Sequence, residues 1–251
     1  MKNDTIVMKF GGASLATPEQ FDNVADLILQ KAERRLVVVV SAMGSTTDQL
    51  IQLAQHVNPN PPQRELDMLI SVGERISMSL LAMALAKKGR EAISFTGSQS
   101  GIITSNKHTD AKIVGVKPAR IITSLDQGKV VIVAGFQGVS STSEITTLGR
   151  GGSDTTAVAL GVALQAHKVE FYKDVDGLYS QDPKIEKNAA FYPFATYDQA
   201  LAIARNGSKV LHLRCIELAK ANSMPLLILS FKHPHKCGTY IHDPIHPIPT
   251  N

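Results

Sequence analysis

Tryptophan is absent from this chain, cysteine occurs only twice, and aromatic residues make up 5% of the sequence. Two cysteines, Cys215 and Cys237, are too few for a disulfide framework, so a reducing cytoplasm is the expected compartment. No uninterrupted apolar run approaches the ~18 residues of a membrane span, and no membrane is expected. The opening Met1-Lys-Asn-Asp-Thr5 leads directly into a strand pattern and does not read as a signal peptide. Charge of one sign is scarce as well: the net charge is +4, with lysines and arginines spread along the chain. Nucleic-acid binding favours a basic stripe with aromatic platforms, so no nucleic-acid partner is expected. A mild positive excess suits small anionic ligands instead. Three well-known nucleotide signatures are also missing: the GxxxxGK[ST] loop, the GxGxxG fingerprint, and the HRD and DFG pair of protein kinases.

What is present is apolar residue, 43% over 251 positions, enough to bury a full core in one large domain or two small ones. β-Branched runs at 6–10, 36–41, 92–96, 130–134, 169–172 and 226–229 read as strands. Between them, 18–31, 47–56, 65–87, 118–126, 154–165, 197–205 and 214–222 read as helices. Val37-Val-Val-Val40 and Val130-Val-Ile-Val133 are apolar on both faces, as central strands of a covered parallel sheet must be. The alternation predicts an α/β fold, a three-layer αβα sandwich around a mostly parallel sheet. Thr17 before Pro18 is a helix start, Asn58-Pro-Asn-Pro-Pro62 is a loop, and the His- and Pro-rich segment from His233 ends the domain.

Glycine and hydroxyl motifs follow the predicted strands at their carboxyl ends, where open α/β sheets bind ligands. Lys9-Phe-Gly-Gly12, Ser41-Ala-Met-Gly-Ser-Thr-Thr-Asp48, Gly135-Phe-Gln-Gly138 and Lys173-Asp-Val-Asp-Gly-Leu-Tyr179 all sit so. The densest is Thr147-Leu-Gly-Arg-Gly-Gly-Ser-Asp-Thr-Thr156. Its glycines let backbone N–H groups approach an anion, and a helix beginning near Ser153 turns its positive end to the same place. Arg150 adds a planar fork of donors for carboxylate or phosphate. Asp154 can face a hydroxyl, an ammonium or a metal-bound water. The anion expected here is phosphate.

These motifs, with Gly73-Glu-Arg-Ile-Ser77, Phe95-Thr-Gly-Ser-Gln99 and Asp174-Val-Asp-Gly-Leu-Tyr-x-x-Asp-Pro183, resemble the amino-acid kinase superfamily. Ser-Ala-Met-Gly, Gly-Glu-Arg and Gly-Arg-Gly-Gly-Ser-Asp together resemble its aspartate kinase branch over about residues 6–241. The resemblance implies transfer of the ATP γ-phosphate to the β-carboxylate of L-aspartate with Mg²⁺, the first step toward lysine, diaminopimelate, threonine and methionine. It implies Lys9, Arg150 and Asp154 as catalytic residues, with no dedicated protein metal site. Ser41, Thr47, Glu74, Arg150 and Ser153 would hold the amino acid, Glu74 through its ammonium. Lys9, Gly11 and Gly12 would meet the phosphates. Lys173, Asp174 and Tyr179 would surround adenine and ribose, while Lys184 and Lys209 would lie on the nucleotide side. The chemistry agrees independently: a carboxylate with a pKa near ~4 is already ionised and needs no general base. Charge repulsion is the obstacle, and positive charge with in-line positioning removes it.

The resemblance further implies an amino-acid-binding part followed by a nucleotide-binding part at roughly 130–241. A homodimer is the expected assembly. Relatives usually continue into tandem ACT modules. This chain runs only about ten residues past the Gly238-Thr-Tyr-Ile241 strand, so a catalytic domain without an ACT module is expected, with feedback through a separate ACT-bearing partner chain as the alternative to none. Two other readings stand beside this one: another small-acid kinase on the same scaffold, and a silent ligand-binding subunit. Many relatives carry Thr or Ser at Lys173 and Arg at Lys184, which bears on nucleotide preference. His108 reads as a solvated loop histidine. His233-Pro-His-Lys-Cys237 lacks zinc-site spacing and reads as a loop.

Overall fold

The computed structural model describes residues 4–31, 33–181, 186 and 188–243. β1 (Thr5–Phe10) passes through a 3-10 turn into α1 (Pro18–Leu29) and β2 (Arg35–Val40). Helices α2 (Thr46–Val57), α3 (Gln63–Ile70) and α4 (Val72–Lys87) follow. Then come β3 (Ala92–Phe95), β4 (Ile102–Thr104), β5 (Ile113–Val116), α5 (Ala119–Asp126), β6 (Val130–Ala134), β7 (Gln137–Ser140) and β8 (Ile145–Thr147). α6 (Gly152–Ala163) leads to β9 (Lys168–Lys173), β10 (Leu178–Tyr179), β11 (Phe191–Tyr192) and β12 (Phe194–Ala195). The described chain closes with α7 (Tyr197–Arg205), α8 (Leu213–Ala221), β13 (Leu226–Ser230) and β14 (Thr239–Ile241).

Eight strands form the main sheet in the order β12-β14-β13-β9-β1-β2-β6-β3. From β13 to β3 every pairing is parallel; β14 runs antiparallel to β13, and β12 runs with β14. Alternation along each strand divides the core in two. Val7, Val37, Val39, Val131, Val133, Val169 and Phe171 face one side, where α5, α6, α7 and α8 cover them. Ile6, Met8, Phe10, Leu36, Val38, Val40 and Ile132 face the other, against α1 and α4. The result is the expected three-layer sandwich. Leu81 and Leu85 of α4 are fully buried there, so Leu81→Ala would cost ~2–5 kcal/mol.

α1 begins as its sequence dictates. Pro18 takes the first helical position, and Gln20 Oε1 accepts the Thr17 N–H at 3.2 Å. The long helix expected over 65–87 is broken: Ser71 separates α3 from α4, and its carbonyl accepts a 2.7 Å hydrogen bond from Gln137 Nε2. Residues Gln63–Lys87 are long and apolar enough, by composition alone, to cross a membrane. Half of the most apolar window is buried within the fold, and Met78, Leu81 and Leu85 belong to the core under the sheet. A second sheet, ordered β5-β4-β7-β8, rises beside the main one and carries the loop that leads into α6.

Candidate active site

β1 lies between β2 and β9, and the chain reaches those neighbours through helices on opposite faces of the sheet. The loops leaving their carboxyl ends therefore diverge and leave a crevice. A cleft of about 490 Å³ occupies it, lined by Lys9, Gly12, Ser41, Thr47, Glu74, Arg150, Ser153 and Asp154 among others. Every residue assigned in sequence to the amino acid is thus brought to one cavity, together with Lys9 and Gly12 from the phosphate set. Gly12 permits the closeness: a Cβ there would lie 2.7 Å from the Ala42 carbonyl oxygen.

Backbone geometry at the mouth of α6 is set by Gly151, its N-cap, in the left-handed region at φ 72°. A side chain there would also strike the His212 ring at 2.3 Å. Only glycine meets both demands. With α6 so started, Ser153 and Asp154 fall in its first turn, where unpaired N–H groups and the helix dipole favour an anion. Phe136 and Thr109 also line the cleft, and each holds a positive φ, 67° and 61°, without being glycine. Such backbones cost ~1–3 kcal/mol each and persist because neighbours fix them. Phe136 donates its N–H to Thr156 Oγ1 at 3.2 Å, and Thr109 donates to both oxygens of Asp67 at 3.1 Å.

Two lysines converge on Asp154 at the cleft. Lys9 Nζ lies 2.7 Å from Asp154 Oδ1, and Lys173 Nζ lies 2.8 Å from Oδ2. Burial pushes the Asp154 carboxyl upward, but Lys173 and Lys9 outweigh it and hold its pKa at about 2. Burial lowers the pKa of Lys9, and the Lys173 charge lowers it further against the pull of Asp154. Glu74 is 3% exposed, and its Oε1 accepts the Ala42 N–H at 3.1 Å while Oε2 has no hydrogen-bond partner. Burial raises its pKa to about 7. A buried carboxylate with one oxygen unmatched is poised for a cationic ligand group. Arg150 is exposed at the rim and makes no hydrogen bond or ion pair among the described residues.

The nucleotide assignments divide. Lys173 does not itself line the cleft, but its Nζ reaches Asp154, which does. Gly11 adjoins Lys9, with Nζ 3.6 Å from where a Cβ would be. Asp174, Tyr179 and Lys209 do not line this cleft; Asp174 and Lys209 are exposed, and the Tyr179 ring tilts against Phe191 at 5.3 Å. Lys184 lies outside the described residues. Asp176 of the same loop bonds His233 and Lys236, both at 3.1 Å, which ties the His- and Pro-rich segment to the loop after β9.

Asp67 carries a role that the sequence reading missed. It is fully buried and accepts bonds from Thr147 Oγ1 at 2.5 Å and from Thr109 N. His108 Nδ1 lies 2.7 Å from its Oδ2, so His108 is not the solvated loop residue expected. The signal was an acid one place after Leu66 and three before Ile70, inside the apolar phase of a helix. Asp67 thereby fixes both the 105–110 loop and the approach to Arg150. Among the described residues, no group of three or more His, Cys, Asp or Glu is placed to hold a metal ion.

Comparison with known proteins gives the same picture. Aspartokinase from Corynebacterium glutamicum is 51% identical over 247 residues, 97% of this chain and 58% of that protein. The crystal structure of aspartate kinase from Synechocystis matches with a TM-score of 0.85 and 42% identity, over 98% of this chain and 40% of that one. Aspartokinase III from E. coli, in complex with aspartate and ADP, matches with a TM-score of 0.87 and 26% identity, over 95% of this chain and 64% of that one. The chain thus spans little more than half the length of the curated relative. The sequence model of the amino acid kinase family matches residues 4–230, which takes in every strand of the main sheet but β14 and all the residues lining the cleft, and the chain belongs to that family.

Proposed function

We propose that this chain transfers the γ-phosphoryl group of ATP to the β-carboxylate of L-aspartate, giving 4-phospho-L-aspartate and ADP. The observation that carries the reading is the pairing, in one cleft, of a lysine-rich floor at Asp154 with a buried Glu74 oxygen that lacks a partner. The first suits phosphate and the second suits an ammonium; an amino acid whose side chain is phosphorylated presents both needs. Similarity to aspartokinases at about half identity supports aspartate as the amino acid.

In this reading Glu74 takes the substrate ammonium, and Arg150 with Ser153 takes the α-carboxylate. Ser41 and Thr47 border the bound aspartate. The β-carboxylate is ionised at neutral pH, so one of its oxygens attacks the γ-phosphorus directly. The bond from phosphorus to the β,γ-bridging oxygen breaks, and ADP leaves with that electron pair. Lys9 meets the transferring group, helped by backbone N–H groups near Gly11 and Gly12 and by the end of α6. Asp154 holds Lys9 in place. Asp174, Tyr179, Lys184 and Lys209 are assigned to the nucleotide.

A divalent cation, Mg²⁺ in this reading, fits as a passenger on the phosphates. The described residues offer no metal cluster, and the Asp154 carboxylate is already shared by two ammonium groups. Phosphate oxygens and water would be its donors, and its charge would offset that of the triphosphate. The assembly is read as a homodimer. An apolar stripe at Met68, Val72, Ile76 and Met83 along α3 and α4 offers a surface for it, and sedimentation equilibrium would test it.

Coupled ADP release measured over aspartate, glutamate, acetylglutamate and UMP tests the activity. Aspartate alone should support rapid turnover. Faster turnover with any other acceptor, or none with aspartate, would overturn the assignment.

A further inference from the structure

Lys173 ends β9, beside β1 in the sheet, on the face of Lys9 and Phe171 that looks toward α6. One carboxylate in this nest is shared by two ammonium groups, one on each oxygen, at 2.7 and 2.8 Å. A single carboxylate neutralises a single ammonium. The second leaves the nest with a surplus positive charge, with only 15% of the Lys173 side chain and 6% of the Lys9 side chain exposed. The first turn of α6 adds more positive potential at the same point. Like charges held together out of water are unfavourable until an anion arrives between them.

We propose that Lys173 is a second catalytic lysine, which contacts the phosphoryl group in transfer together with Lys9, and is not part of the adenine and ribose wall. The proposal rests on the phosphotransfer reading above and deepens it. Asp154 then acts as the template that spaces the two ammonium groups. When the triphosphate binds, each lysine keeps its Asp154 oxygen and directs its remaining N–H donors at phosphate oxygens. As the bond to the leaving ADP oxygen lengthens, charge grows on the oxygens that the two lysines share. Losing either lysine removes an interaction that strengthens in the transition state.

Lys173→Met, with Lys173→Arg as the conservative partner, separates the roles. Loss of a preorganised charged donor should lower kcat by ~10²–10³, with Lys173→Arg recovering part of it. Calorimetric titration with adenosine and with ATP gives an arm that does not depend on the acceptor. Lys173→Met should bind adenosine as wild type does and should lose affinity for ATP. Thermal melting checks that the variant folds. A kcat within threefold of wild type, with adenosine affinity reduced, would return Lys173 to the base-binding wall and overturn the proposal. Unchanged kcat and unchanged affinity for both ligands would make it a structural ion pair and also overturn it. A wild-type protein inert toward aspartate would sink the phosphotransfer reading alone, since the adenosine and ATP titrations would still report on Lys173.

Discussion

Two carboxylates on this sheet are each held by two lysines, and they differ in what is left over. Glu170, on β9, is fully buried, and Lys31 and Lys168 reach the same oxygen at 2.9 and 3.1 Å. Its other oxygen accepts the Tyr172 hydroxyl at 2.9 Å. The Tyr172 ring in turn stacks on Phe10 at 4.6 Å. Burial raises the Glu170 carboxyl, the two lysines bring it below its ordinary value, and burial together with Glu170 keeps the Tyr172 hydroxyl protonated. Each acceptor is satisfied within the fold, and Lys31 reaches toward solvent. Asp154 has its lysines on separate oxygens and opens on the cleft. One nest is closed on itself. The other is arranged around space for an anion. In the proposed reading, similar residue types in similar burial serve stability in the first case and chemistry in the second.

If that contrast is right, damage to the open nest should appear in rate and damage to the closed nest in stability. The largest expected effect is on rate. Lys9→Met leaves Asp154 paired with Lys173, so the protein should fold, yet kcat should fall ~10²–10³-fold. Arg150→Ala, at an exposed rim position, should fold normally and lose comparable activity. Near-wild-type turnover by either purified variant would break the assignment of the open nest.

Glu170→Gln should act the other way. It leaves two lysines facing a neutral amide in the interior, and breaking a buried pair costs on the order of 3 kcal/mol. The urea midpoint should drop by the equivalent amount while kcat/KM stays within about threefold. Both nests weaken in acid, and the direction follows from their pKa values. The Asp154 carboxyl is depressed to about 2 and Glu170 is also lowered, so their contributions are complete above the ordinary carboxylate range and fade as pH falls through the folded values.

Glu74 has the opposite sign. Its pKa is raised to about 7 from 4.5, so the stability linked to its proton is present below pH 4.5 and lost as pH climbs toward 7. The ammonium ligand requires the ionised form. The KM for aspartate should therefore fall as pH rises through about 7, whereas the KM for ATP should not follow. Glu74→Gln should raise the KM for aspartate roughly 30-fold at pH 8, the equivalent of about 2 kcal/mol for a broken charge pair. It should also flatten both the KM profile and the stability profile between pH 5 and 7. Equal effects on the two substrates would instead make Glu74 a structural residue of α4.

The closed nest was invisible in the sequence, and the open one only half visible. Lys9, Glu74, Arg150 and Asp154 announced themselves because glycines beside them mark backbone that must approach a ligand. Glu170 lies on a strand with no such mark, and its partner Lys31 is 139 residues away. Lys173 was named from its own glycine motif but assigned to adenine and ribose, because its pairing with Asp154, 19 residues away, is not a local pattern. The six principal strands were legible because long β-branched runs are needed for burial on two faces. The second sheet was not, since β4 and β8 have three residues each and show no periodicity. The break at Ser71 was missed for a similar reason. Apolar residues continue through it, and the bond that marks it comes from Gln137 in a distant strand. Asp67 is the exception that local pattern does betray, as an acid placed where α3 should be apolar.

The smallest predicted effect gives the sharpest form of the comparison. Lys31→Met makes in the closed nest the same edit that Lys173→Met makes in the open one: it removes one of two lysines from a shared carboxylate. Glu170 would keep Lys168 on Oε1 and Tyr172 on Oε2, so neither oxygen is orphaned. Lys31 is also the more exposed of the two Glu170 lysines, with 29% of its side chain open, and the methionine chain can cover the surface that the lysine stem covered. A partly exposed pair contributes at most about 1 kcal/mol. The urea midpoint should therefore move by no more than that equivalent, and kcat should stay within twofold of wild type. A fall in kcat approaching that of Lys173→Met would mean that the two nests are coupled across the sheet, through Tyr172 and Phe10, and that the division into a structural and a chemical nest is wrong.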